Sequence, residues 1–95
     1  MVVATSYNNI GSVYQDQGKL NKSLDYYRKS HAIRECLAPH SLSVATSYDN
    51  IGSVYQDQGK LDEALEYTRK SLVIKERLAP NSLDVATSYN NIGSV

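Results

Sequence analysis

Residues 4–13 read ATSYNNIGSV, residues 45–54 read ATSYDNIGSV, and residues 86–95 read ATSYNNIGSV again. The phrase returns at a constant interval of 41 residues. Laying 1–41 on 42–82 leaves 13 differences and 28 identities. A fixed period of this length is the signature of a repeat architecture, in which each unit buries its apolar side against its neighbours. The reading predicts a single array: 1–41 as repeat 1, 42–82 as repeat 2, and 83–95 as the first helix of a truncated repeat 3. Met1 then stands where Leu42 and Leu83 stand in the later units. The ending at Val95, inside a unit, gives the expectation of a segment cut from a longer array.

Within each unit the apolar spacing predicts two helices. Val44, Tyr48, Ile51 and Tyr55 recur at steps of four, three and four, the stripe of a 3.6-residue period. Ala45 and Gly52 lie beside that stripe and are small enough for a second helix to approach closely. After Gly59, suited to the left-handed residue that ends a helix, the pattern restarts with Leu61, Ala64, Leu65, Thr68, Leu72, Lys75 and Leu78. Asp62 and Glu63 fall in its first turn and Lys75 and Arg77 in its last, as the helix dipole favours. Pro80 ends it, because the residue before a proline is pushed away from helical geometry. Asn81 or Ser82 can then cap the next helix, with Asp84 in its first turn. Repeat 1 follows the same grammar through Gly18, Leu20, Asn21, Pro39 and Ser41. No strand pattern competes, so the fold class is all-α.

The order Tyr48, Ile51-Gly52, Tyr55, Gly59, Leu61, Ala64 resembles the tetratricopeptide signature, and repeat 1 matches it with Tyr7, Ile10, Gly11, Tyr14, Gly18 and Leu20, with Ser23 in the alanine place. Repeat 3 matches through Tyr89, Ile92 and Gly93. With its 41-residue period and its ATSYNNIG phrase, the chain looks similar to the longer tetratricopeptide repeats of kinesin light chains and nephrocystin-like proteins. Departures are Thr68 where Tyr27 supplies an aromatic, and Ser30 and Ser71 in place of a small alanine. The resemblance implies tandem helix-turn-helix repeats in a right-handed α-solenoid, two units plus the first helix of a third. It also implies a protein–protein interaction module whose first helices line a concave face.

Composition narrows the function from another side. Ten Lys+Arg against ten Asp+Glu give a formal net charge of zero, so the basic excess that drives non-specific nucleic-acid binding is missing. No apolar run approaches the roughly 18 residues of a membrane-spanning helix, and no secretory leader pattern follows Met1. The single cysteine, Cys36, forms no internal disulfide, and no Cys/His cluster has zinc-ligand spacing. The expectation is a cytoplasmic, metal-free protein without cofactor, membrane or nucleic-acid partner. With 41% hydrophobic residues and no Phe or Trp, eight tyrosines supply the bulk of the core. A deep, water-excluding catalytic pocket is hard to build from so little. IGSV lies inside a helix rather than at a phosphate-binding turn, and the spacing brings together no Ser/His/acid or paired-carboxylate set. No catalytic residue is assigned.

On the resemblance, the concave face carries Thr5, Asn8, Asn9, Ser12, Gln15 and Asp16 from repeat 1. Repeat 2 adds Thr46, Asp49, Asn50, Ser53, Gln56 and Asp57, and repeat 3 adds Thr87, Asn90, Asn91 and Ser94. Asn9, Asn50 and Asn91 recur in register, and an amide with two donors and an acceptor suits the backbone of an extended peptide. A solvated polar face is equally what any amphipathic helix shows, and duplication copies it. Asp16, Asp49 and Asp57 would favour a neutral or basic peptide. The lack of Lys or Arg on this face excludes the two-carboxylate clamp of chaperone-binding tetratricopeptide domains.

The alternative is structural. The last helix has no successor, so Ala86, Tyr89, Ile92 and Gly93 present a face for self-association, as a dimer or a head-to-tail stack. The start of the chain likewise presents a face meant for an earlier repeat. Arg28-Lys29 and Arg69-Lys70 read as a solvated, charge-balanced surface with Asp25–Lys29 and Glu66–Lys70 pairs. His31 and His40 read as structural or surface residues, Cys36 as an exposed thiol, and Tyr7, Tyr14, Tyr48, Tyr55 and Tyr89 as core.

Overall fold

A computed structural model describes residues 2–78 of the chain. Four helices follow one another: α1 (Val2–Asp16), α2 (Leu20–Leu37), α3 (Leu42–Asp57) and α4 (Leu61–Leu78). They pack in chain order, α1 on α2, α2 on α3 and α3 on α4. Each neighbour in sequence is a neighbour in space, as a helical repeat array requires. The third unit, with Asn81 and Ser82 as caps and Tyr89 in the core, lies outside the described residues.

The helix ends follow the sequence closely. Gly18 and Gly59 both have φ +76°, the left-handed geometry glycine adopts without strain. Behind each, Lys19 N–H reaches the Tyr14 carbonyl at 2.9 Å and Lys60 N–H reaches that of Tyr55 at 2.9 Å. These are the closing bonds of a Schellman turn. Ser41 caps α3, its Oγ accepting from Val44 N–H at 3.3 Å. α4 carries Asp62 and Glu63 in its first turn and Lys75 and Arg77 in its last.

Small residues set the spacing of each helix pair. A Cβ on Gly11 would sit 2.8 Å from Tyr27 Cδ1 and 3.2 Å from the Ser23 carbonyl oxygen. One on Gly52 would meet the Ala64 carbonyl oxygen at 3.3 Å. Ser23 Oγ, buried in the alanine place of repeat 1, donates to the Gly11 carbonyl at 2.7 Å.

The core lies at the joint between the units. Leu24 and Tyr27 of α2 pack with Ile51, Val54 and Tyr55 of α3 and Ala64 of α4, flanked by Leu20 and Tyr67. A second cluster joins Val44 and Ala45 to Ile74, against Tyr48. Burying a Val, Leu or Ile side chain contributes about 1.5–3 kcal/mol, so this joint is a principal source of stability. The second-helix stripe differs from its expectation. Leu61 and Leu78 at the ends of α4 are exposed, whereas Ser71 and Ile74 are buried. The end positions have no neighbouring helix to cover them among the described residues.

Tyrosines divide by role rather than forming one buried stripe. Tyr27 and Tyr55 are buried, but Tyr7, Tyr14 and Tyr48 are half-buried. Tyr7 and Tyr14 flank Tyr26 with ring centroids 6.0 and 5.6 Å away. Tyr48 and Tyr55 flank Tyr67 in the same way at 5.9 and 5.6 Å. Lys29 lies 4.8 Å over Tyr26 and Lys70 4.8 Å over Tyr67. Lys29 thus sits over aromatic rings in place of the expected Asp25 pair, a cation–π contact. The Lys70–Glu66 pair is present at 3.6 Å on the surface, where such pairs contribute little.

Candidate functional site

The polar residues of α1 and α3 form one continuous row across the two units. Thr5, Asn9, Ser12 and Asp16 are exposed, as are Thr46, Ser53, Gln56 and Asp57; Asn8, Gln15, Asp49 and Asn50 are half-buried. The row is cross-braced. Asn50 Nδ2 donates to Asn8 Oδ1 at 2.6 Å. Gln15 Nε2 donates to Ser53 Oγ at 2.8 Å and to Asp57 Oδ2 at 2.9 Å. Gln15 Oε1 in turn accepts from the Tyr27 hydroxyl at 2.9 Å.

Three expectations change on this geometry. Asn9 and Asn50 share a register position, but Asn50 pairs with Asn8, one position earlier. Gln15 spends both N–H groups on the next repeat, so it is a brace rather than a free amide. Asp49 is not an open carboxylate: Lys75 reaches it from α4 at 2.7 Å, with the lysine side chain 14% exposed. The expected absence of a cation from this face therefore holds for α1 and α3 themselves but not for the helix behind them. Asn90, Asn91, Thr87 and Ser94, together with Ala86, Tyr89, Ile92 and Gly93, lie outside the described residues.

A serine, a histidine and a carboxylate do come together, contrary to the sequence expectation. His31 Nδ1 is 2.6 Å from Ser47 Oγ, and His31 Nε2 is 2.7 Å from Glu35 Oε2. The Ser47 hydroxyl donates to the Val44 carbonyl at 2.7 Å. Glu35 only accepts, so Nε2 carries the proton between them, and on the neutral imidazole Nδ1 and the Val44 carbonyl are both acceptors within reach of the Ser47 hydroxyl. That is the order of an activated nucleophile, but Ser47 is 1% exposed, leaving no approach for a substrate. The set is a clasp across the α2·α3 joint. The His31 ring lies 4.6 Å from Tyr48, and Arg28 Nη2 donates to the Tyr55 hydroxyl at 2.6 Å. Arg28, His31 and Lys75 are the joint residues: the sequence reads Arg28 as solvated surface, His31 as structural or surface, and Lys75 as part of the second-helix stripe. The available signal was their position: all three fall on second helices, facing the first helix beside them.

Cys36 is exposed, as expected. Among the described residues, no group of three or more His, Cys, Asp or Glu could hold a metal, and no helix is long and apolar enough to cross a membrane. A shallow groove of about 450 Å³ lies along α4, lined by Asp62, Leu65, Glu66, Arg69, Lys70 and Val73. It touches none of the α1/α3 polar row.

Antiparallel helix pairs stacked in chain order, with a polar row on the first helices and a core between units, define an α-helical repeat scaffold. The chain belongs to the tetratricopeptide repeat family, whose model matches residues 2–77 and again 43–95. The two overlapping matches reflect the internal repetition. No curated protein matches the chain. Members of this family are generally non-catalytic modules of protein–protein interaction.

Proposed function

We propose that the α1/α3 face is the concave binding surface of this module and takes a partner segment in extended conformation. The observation that carries the reading is the unbroken row of accessible polar side chains across both units. The braces sort this row into support and contact. Gln15 and Asn8 hold neighbouring repeats in register. Asn9, Ser12 and Gln56, with the remaining N–H and the carbonyl of Asn50, are left to meet a peptide backbone. Asp16 and Asp57 give the face an acidic edge, which favours a neutral or basic segment. The longer-repeat kinesin light chain or nephrocystin-like subtype and a cytoplasmic location belong to the same proposal, supported by the 41-residue period.

Asn50→Ala tests it. The substitution should weaken a peptide selected on the wild-type chain by about fivefold, the scale of one or two hydrogen bonds, with a fall in melting temperature no larger than loss of the single Asn8 brace causes. Unchanged affinity sinks the reading. Self-association is the second reading, favoured by the exposure of Val3, Ile10 and Val13 on α1. For its C-terminal surface, charged residues at Tyr89 and Ile92 should lower a concentration-dependent solution mass. A mass unmoved by them counts against that surface.

A further inference from the structure

Three short polar contacts meet at His31, and the neutral ring cannot make all of them hydrogen bonds at once. Nε2 lies 2.7 Å from Glu35 Oε2, Nδ1 lies 2.6 Å from Ser47 Oγ, and Ser47 Oγ lies 2.7 Å from the Val44 carbonyl oxygen. The neutral imidazole supplies one proton, held by Nε2 for the carboxylate, and the Ser47 hydroxyl supplies a second. Two protons then serve three contacts. With the hydroxyl turned to Nδ1, the Val44 carbonyl loses its donor. With it turned to Val44, Nδ1 and Oγ face each other as two acceptors at 2.6 Å. The imidazolium supplies the missing proton: Nε2–H donates to Glu35, Nδ1–H to Ser47 Oγ, and Ser47 O–H to Val44. Ser47 is 1% exposed, so solvent does not reach the hydroxyl to complete the set instead.

We infer that His31 is a proton-dependent latch on the α2·α3 joint, closed when the imidazole carries both protons and one hydrogen bond short when it is neutral. The groups around the ring agree with this. On its own helix Glu35 contacts it, while Arg28 is turned to the Tyr55 hydroxyl and Arg34 to the Ser43 carbonyl. From α3 comes the Tyr48 ring at 4.6 Å, a distance at which an aromatic face attracts a cation, and Asp49, which Lys75 of α4 engages at 2.7 Å. α4 also brings Lys70, 5.7 Å over the Tyr48 ring. The turn before α3 adds the exposed His40, which lines a groove with Tyr48 and Lys70. The one charged residue of α1, Asp16, stands at its last position near Tyr27. The only ionic group the structure puts in direct contact with the ring, among the described residues, is thus a carboxylate. Leu72 holds the His31 position in α4, so the second unit has no titrating group at that register. The Asn8–Asn50 and Gln15–Ser53 bonds cross the same joint, and one proton at His31 therefore sets how firmly the two units hold register. The latch needs no ligand on the α1/α3 face.

A proton bound more tightly by the folded chain than by the unfolded one stabilises the fold at low pH, and that contribution is lost as pH rises. Urea unfolding of the 95-residue chain at about pH 5.5 and about pH 7.5 brackets the ordinary histidine value of about 6.5 and stays above the carboxylate range. The folded-to-unfolded ratio of the wild type should gain about fivefold at the lower pH relative to His31→Leu, the scale of one hydrogen bond. His31→Leu copies Leu72 and leaves His40 in place, so the comparison cancels the rest of the chain. Ser47→Ala should lose most of the same gain. Nitrogen-resolved NMR spectra of the wild type should show a slowly exchanging Nδ1–H on His31 at about pH 5.5 and none on His40. That readout needs no variant, so it decides the matter even if a substitution perturbs folding. An equal gain in wild type and His31→Leu, a gain kept in full by Ser47→Ala, or an Nδ1–H on His31 exchanging as fast as that of His40 would each overturn the inference.

Discussion

Ser30 and Ser71 occupy the same place in α2 and α4, both are 0% exposed, and neither hydroxyl has a hydrogen-bond partner among the described residues. A buried hydroxyl without a partner loses its hydration and regains nothing. Alanine fits the same space and removes the group. Ser30→Ala and Ser71→Ala should each raise the unfolding free energy by up to about 1 kcal/mol, read from urea midpoints; a loss at both sites would reveal a partner for the hydroxyls. Ser23 is the contrast, since its hydroxyl spans to Gly11, and Ser23→Ala should cost about 1 kcal/mol by the same measurement. The sequence distinguishes these serines poorly. All three stand at small-residue positions of the family pattern, and only the distance to a carbonyl on the facing helix separates them. Residues governed by their own backbone were legible: Gly18 and Gly59 stand where the helical stripe breaks, and both adopt the left-handed turn.

At the scale of helix pairs, the two units are not equivalent despite their identities. Glycine to alanine within a helix gains about 1 kcal/mol of propensity, so the outcome depends on space. At Gly11 the added methyl would press a buried Tyr27 ring at 2.8 Å, and overpacking costs about 1–3 kcal/mol. At Gly52, Thr68 replaces that ring and the nearest atom is 3.3 Å away. Gly11→Ala should therefore be destabilising and Gly52→Ala close to neutral, compared by thermal melting. An equal cost at both sites would contradict the spacing argument. The joint between units was harder to read. The 41-residue period states which positions are equivalent but not how one pair rotates on the next, and that rotation brings His31 to Ser47 and Gln15 to Asp57. A double-mutant cycle of His31→Ala with Ser47→Ala should show coupling of about 1 kcal/mol; additive effects would mean the clasp is geometric only.

For the whole molecule, cohesion between units depends on tyrosines that must remain neutral. Burial raises Tyr27 above its ordinary 10.0, a nearby Ser12 hydrogen bond opposes this, and the carboxylates of Asp16 and Asp57 add to it. Burial likewise raises Tyr48 above 10.0, with Glu35 adding and Lys70 opposing. A phenol whose folded value lies above its unfolded one stabilises the fold fully below the unfolded value. That contribution is lost as pH rises through the folded value. Tyr27 braces the polar row through Gln15, and Tyr48 lies under the His31 clasp, so their ionisation loosens both sides of the inter-repeat joint together. The denaturant midpoint should therefore fall as pH rises above 10.0, the ordinary tyrosine value. Phenolate absorbance should show part of the tyrosine population titrating later than the rest. Tyr27→Phe should remove part of the alkaline loss while weakening the Gln15 brace at neutral pH. A midpoint flat across the tyrosine titration would mean that these two phenols ionise without disturbing the joint.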